Sequence, residues 1–146
     1  MTEPIQIAQD RFAQGFSCSQ SVFSAFASKY GITDENALKL ASPFGGGIAR
    51  QGNVCGAVTG ALMALGLAGG SASSDKEEKD KTYHLAEDFI RRFREKYGTI
   101  LCRELIGYDI SNPEELLKAR EEQVFVNACP AFVKDTAELV EEILGQ

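Results

Sequence analysis

The stretch from Asn53 to Leu67 constrains this chain most. From Val54 to Leu67 the only hydrophilic residue is Thr59. A helix that is apolar on every side belongs inside a core, so the other segments must wrap around this one. Gly56, Gly60 and Ala64 recur with a spacing of four and share one helical face. Glycine inside a helix costs roughly 0.5–1 kcal/mol relative to alanine. Its use on one face points to close approach by another backbone or by a bound group. Asn53 is read as the cap of this helix, which puts Cys55 in its first turn, at the head of the glycine face.

The rest of the chain supplies the wrapping. Its 146 residues, 44% of them hydrophobic, make one domain spanning 1–146 with enough apolar material for a core. Helical spacing of apolar residues and capping residues predict helices over 4–14, 17–30, 33–41, 75–97, 100–106 and 113–123. A last helix is expected to begin near Ala128-Cys129-Pro130, with proline in its first turn. No segment alternates with period two. The fold class is therefore all-α: a single-domain bundle of about six or seven helices around the central apolar one. Leu62 is placed in the core.

Charge and termini narrow the function. The net charge is −6, with acids and bases interleaved along the helices. A nucleic-acid partner calls for a basic footprint, so none is expected. The central apolar run of about 14 residues is too short to span a membrane, and no membrane insertion is expected. Met1-Thr2-Glu3-Pro4-Ile5 lacks a basic region followed by an apolar run, so no secretory signal is read and the location is expected to be cytoplasmic.

Phe44-Gly45-Gly46-Gly47 resembles a phosphate loop only superficially, because the Lys-Ser/Thr that should follow is missing. These glycines are read as letting the backbone pass close to something, or move. Arg50 is read as an exposed loop arginine. His84, the only histidine, is read as a packing or surface residue. The sequence shows no carboxylate pair and no nucleophile–base couple. No enzyme reaction is assigned, although an oxidoreductase component is compatible with the chain.

The four cysteines carry what chemistry there is. Cys18, Cys55, Cys102 and Cys129 have no close sequence neighbours of their own kind, so neither a C-x-x-C redox pair nor a zinc knuckle exists. Each falls within about one turn of an expected helix N-terminus. Free N–H groups and the helix dipole there favour negative charge and lower a thiol's pKa. Four such ends brought to one point would form a pocket for a sulfur-ligated group. Buried, inert cysteines are the competing reading.

The whole chain resembles the redox-active family labelled C-GCAxxG-C-C. The resemblance lies in Cys55-Gly56-Ala57-Val58-Thr59-Gly60, preceded by Cys18 and followed by Cys102 and Cys129, and in the length. It implies that the four cysteines form one redox site, with Gly56 and Gly60 letting a helix or a cofactor approach Cys55. Family members are associated with neighbouring transporter genes. A related module accompanies haem domains in split-Soret cytochromes, where an iron–sulfur centre has been proposed; this chain has no C-x-x-C-H haem site. The first expectation is an iron–sulfur cluster on the four thiolates, serving electron transfer or redox sensing with an unidentified redox partner. The alternatives are metal-free thiol–disulfide chemistry, a structural zinc site, and a transporter-associated binding module.

Overall fold

The computed structural model of the chain describes residues 2–145. Eight α-helices lie among them: α1 (Glu3–Ala13), α2 (Cys18–Ala27), α3 (Asp34–Ala41), α4 (Gly56–Gly69), α5 (Lys76–Tyr97), α6 (Cys102–Ile106), α7 (Pro113–Glu121) and α8 (Val124–Leu144). The all-α expectation holds. Seven of the helices surround α4, as expected, with α6 set apart by left-handed Gly98 and Gly107. Among the described residues there is no strand, only one antiparallel bridge between Val54 and Leu101.

Local chemistry sets most helix starts. Ser17 and Gln20 form a reciprocal capping box at α2. Thr33 accepts from the Asn36 amide at α3, and Asp75 from the Glu78 amide at α5. Asn112 accepts from two amides at α7, with Pro113 following in the first turn. Such caps are each worth about 1 kcal/mol.

The central helix does what its composition requires. One side of α4 presents Val58, Ala61 and Leu65 to the main core, with Val22 and Phe26 of α2, Phe89 and Phe93 of α5, and Val133 and Val140 of α8. Another side offers Met63 and Leu67 to a second, smaller cluster formed by Phe23, Ala27, Ala37 and Ala41. Serving two clusters leaves α4 little room for a polar stripe. Its C-terminal part emerges at the surface: Gly66 is exposed and Leu62 is only half-buried, so Leu62 borders the main core rather than lying within it.

Small residues let α2 and α4 touch. A Cβ on Gly60 would lie 2.8 Å from the Ser19 carbonyl oxygen and 3.2 Å from the Phe23 nitrogen; one on Gly56 would lie 3.1 Å from the Ser19 nitrogen. What approaches these glycines is therefore the α2 backbone. Ser19, Ser21 and Ser24 are buried on α2. Ser19 donates to the Ala41 carbonyl and Ser21 to that of Ser17, at 2.8 and 2.7 Å.

Two boundaries differ from expectation. Cys55 itself is the N-cap of α4. Asn53 instead gives its backbone to the next segment: its carbonyl accepts from the Cys102 amide and its amide donates to the Gly47 carbonyl. The last helix begins at Val124, so Pro130 lies inside it. Proline there deprives the Val126 carbonyl of its helical donor. Val126 is 69% exposed, so water can replace that donor and the proline is tolerated.

Candidate functional site: four thiols beside a cavity

Three backbone features bring the cysteines together. The segments 52–55 and 100–103 pair: the Cys55 amide donates to the Ile100 carbonyl at 2.8 Å, Cys102 to Asn53 at 2.7 Å and Arg103 to Gly52 at 3.2 Å. This pairing fixes Cys55 and Cys102. The capping box holds Cys18 as the first residue of α2. Cys129 reaches the same place from the second turn of α8, not from a helix N-terminus as its sequence context implied.

The four thiols form one electrostatic neighbourhood. Cys18 feels the charge of the other three and a hydrogen bond with Cys129; Cys102 feels Cys55 and Cys129, and Cys55 feels Cys129. Cys55, Cys102 and Cys129 are buried, Cys18 is half-buried, and all four are free thiols. Cys18, Cys102 and Cys129 line a cavity of about 600 Å³, whereas Cys55 is not part of its lining. Among the described residues, no three His, Cys, Asp or Glu side chains are gathered as a ligand set for a metal ion. His84 is exposed on α5, away from this cavity.

The electrostatics reverse part of the sequence reading, in which helix starts were to lower the thiol pKa values. Burial pushes Cys55 up to about 11, although the Val58 and Ala57 amides at the start of α4 pull against it; the charge of Cys129 adds to the rise. Burial, then Cys55 and Cys129, push Cys102 up to about 12. Cys18 and Cys129 shift each other in opposite directions. The Cys129 side chain, followed by burial, raises Cys18 well above an ordinary thiol, while the Cys18 side chain lowers Cys129 against its own burial. Desolvation and mutual repulsion thus outweigh the dipoles at three of the four sulfurs.

The glycine loop forms one wall of the cavity by an uncommon route. Gly46, Gly47, Ile48, Ala49 and Arg50 all have φ between +48° and +70°, a full turn of left-handed backbone. For residues with a side chain this costs roughly 1–2 kcal/mol each, on the order of 3–6 kcal/mol over Ile48, Ala49 and Arg50. Packing explains the glycines. A Cβ on Gly45 would lie 2.9 Å from Ser17 Cβ, and one on Gly47 would lie 2.8 Å from Cys102 Cβ and 2.6 Å from the Asn53 nitrogen. The loop therefore closes over the Cys18 and Cys102 side of the site and places Arg50 on the cavity lining.

Two further residues border the site without a sequence signal. Arg120 of α7 lines the cavity. Tyr97, at the end of α5, donates to Asp135 and stacks edge-on against Phe132. Its hydroxyl is held in the neutral form by burial and Asp135, and Cys55 contributes to that effect. Their link to the cysteines depends on helix packing, which local spacing does not encode.

Fold and site together define a helical protein with four free, mutually interacting thiols, three of them lining a cavity. The chain belongs to the family described as "Putative redox-active protein (C_GCAxxG_C_C)", whose model matches residues 16–143. No curated protein and no solved structure matches it. Among the described residues, no helix is long and apolar enough to cross a membrane.

Proposed function

We propose that Cys18, Cys55, Cys102 and Cys129 act as one redox centre that holds an iron–sulfur cluster, serving electron transfer or redox sensing in the cytoplasm with a separate redox partner. The supporting observation is the mutual neighbourhood of all four thiols, drawn from separate parts of the chain, three of them lining one cavity. Burial at Cys55 and Cys102, and the Cys129 side chain followed by burial at Cys18, favour the protonated thiols, and mutual repulsion adds to this. Four such thiols ionise together only against a compensating positive charge, and a coordinating metal supplies one. An all-sulfur donor set favours soft metals and iron–sulfur clusters over hard ions, and four cysteines serve either a two-iron or a four-iron cluster. When bound, the cluster would supply one-electron chemistry. The chain's own residues would bury it, with the left-handed turn limiting access of water. Because the thiols are not gathered as a ligand set for one ion, this reading requires the sulfurs to adjust on binding, and a structural zinc site is less well supported.

A second reading rests on the Cys18–Cys129 contact. The Cys18 side chain lowers the pKa of Cys129, which favours its thiolate, the form that attacks sulfur. Their oxidation to a disulfide would release two electrons and two protons to an external acceptor, without metal.

The deciding measurement is the ultraviolet–visible spectrum, with iron, sulfide and zinc content, of protein purified without oxygen. Iron–sulfur absorption that is lost in Cys55→Ser supports the cluster. A colourless, metal-free protein that forms a reversible Cys18–Cys129 disulfide supports the second reading. Four thiols that react independently, with no metal, would refute a shared centre.

A further inference from the structure

The cavity beside the thiols has a charge pattern that redox chemistry at sulfur does not require. The chain carries 21 acidic residues, yet none lines this cavity, whereas Arg50 and Arg120 both do. Neither guanidinium forms an ion pair among the described residues. Both residues are exposed, so their charge is available to a ligand entering from solvent. A cleft lined by one sign of charge between low-dielectric walls focuses its field on an approaching ligand. Those walls are apolar: Phe12, Leu116 and Phe125 form part of the lining. The volume of about 600 Å³ falls in the range of about 300–1,000 Å³ that suits small organic molecules. An inorganic anion would leave most of it unfilled and the aromatic walls unused. Arg50 also stands at the end of the left-handed turn, and backbone strain of this kind clusters at ligand clamps and active sites.

We infer that this cavity binds a small organic anion, its carboxylate held by Arg50 and Arg120 and its apolar body resting on Phe12 and Phe125, next to the thiols. The inference deepens the proposed redox site and rests on it, since the anion would bind directly beside the thiols of that site.

Two aromatic disulfides of similar shape serve as probes: dithiobis(nitrobenzoate), a dicarboxylate, and dithiodipyridine, which is neutral. In each reaction a protein thiolate attacks the reagent's S–S bond, a protein–reagent disulfide forms, and one aryl thiolate leaves as the chromophore. Initial rates are measured on fully reduced, chelator-treated protein whose helical circular dichroism is intact. The anionic-to-neutral rate ratio is divided by the same ratio for N-acetylcysteine. This normalised ratio should exceed one despite the protein's net negative charge. Arg50→Gln and Arg120→Gln should each lower it by about three- to tenfold. Arg50→Lys should retain most of it, which separates loss of charge from disturbance of the turn. Arg94→Gln, on α5 outside the cavity, should leave it unchanged. A ratio at or below one, a ratio indifferent to both cavity arginines, or an equal loss in Arg94→Gln would overturn the inference. Failure of the shared centre itself would show differently: Cys55→Ser would leave the metal content and the reactivity of the other three thiols unaltered, whatever the arginines do.

Discussion

Adding one methyl group at Gly60 should destabilise this protein, while the same change six residues later should stabilise it. In Gly60→Ala the new Cβ would lie 2.8 Å from the Ser19 carbonyl oxygen and 3.2 Å from the Phe23 nitrogen. Both atoms are α2 backbone, so no flexible side chain can move aside; the two helices must separate. Overpacking of this kind costs about 1–3 kcal/mol. The better helix propensity of alanine offsets roughly 0.5–1 kcal/mol, leaving a net loss of about 1–2 kcal/mol. For a chain of this size that lowers Tm by about 2–8 °C. Gly66 lies in the same helix, exposed, and a Cβ there would meet nothing within 4 Å. Gly66→Ala should keep the propensity gain and raise Tm by about 1–4 °C. Thermal unfolding followed by circular dichroism reads both. Parallel shifts in the two variants would refute the close α2–α4 contact. Because Ser19 adjoins Cys18, Gly60→Ala should also alter Cys18 reactivity, whereas Gly66→Ala should not.

Gly47→Ala combines a left-handed φ of +70° with contacts under 3 Å to Asn53 and Cys102; it should cost about 2–5 kcal/mol in urea unfolding, and an unchanged midpoint would contradict the loop packing. Alkaline pH should weaken the fold through Cys55 and Cys102, whose folded pKa values of about 11 and 12 lie above the ordinary 9.0. Above pH 9 the unfolded chain loses these protons first, so stability is full below that pH and falls as pH rises, approaching 1.4 kcal/mol per pH unit for each thiol. Urea midpoints compared at pH 8.5 and 10.5 should show a smaller loss in Cys55→Ser than in the parent, and equal losses would exclude the effect.

What could be read from the sequence was what local chemistry decides. Ser17, Thr33, Asp75 and Asn112 announce helix starts by their capping chemistry, and Gly31 and Gly98 end their segments in the left-handed conformation. The apolar run after Cys55 announced a central helix. Pro130 misled, because proline's preference for a first turn competes with its tolerance wherever the freed carbonyl meets water. Nothing in the sequence marks Ser19, Ser21 and Ser24 as core, yet they are buried on α2, and it is at Ser19 that the α4 glycines pack. At the site, the four cysteines and the glycine loop were legible, whereas Arg120 and Tyr97 were not, since only the docking of α7 and the end of α5 brings them near. The direction of the thiol pKa shifts was missed for the same reason: dipoles can be read from helix starts, but burial and mutual repulsion exist only after the helices have come together.

The left-handed turn has a consequence for the order in which the molecule assembles. No local preference favours five successive residues of this hand, so the turn has no stable precursor in an isolated segment. Its own bonds, such as Arg50 to Gly45 and Gly52 to Gly46, are backed by contacts from elsewhere: Asn53 ties it to Cys102, and Ser17 packs on Gly45. Contacts that close long loops are made against chain entropy, and those between 52–55 and 100–103 enclose α4 and α5 entirely. The helices can dock early through Val22, Phe26, Leu65 and Phe93, whereas the turn and its thiol neighbours must come late. Hydrogen exchange at Gly52, Asn53 and Cys102 should accordingly be faster than at the centre of α4, so that the chemistry-bearing corner opens while the helical frame stays shut.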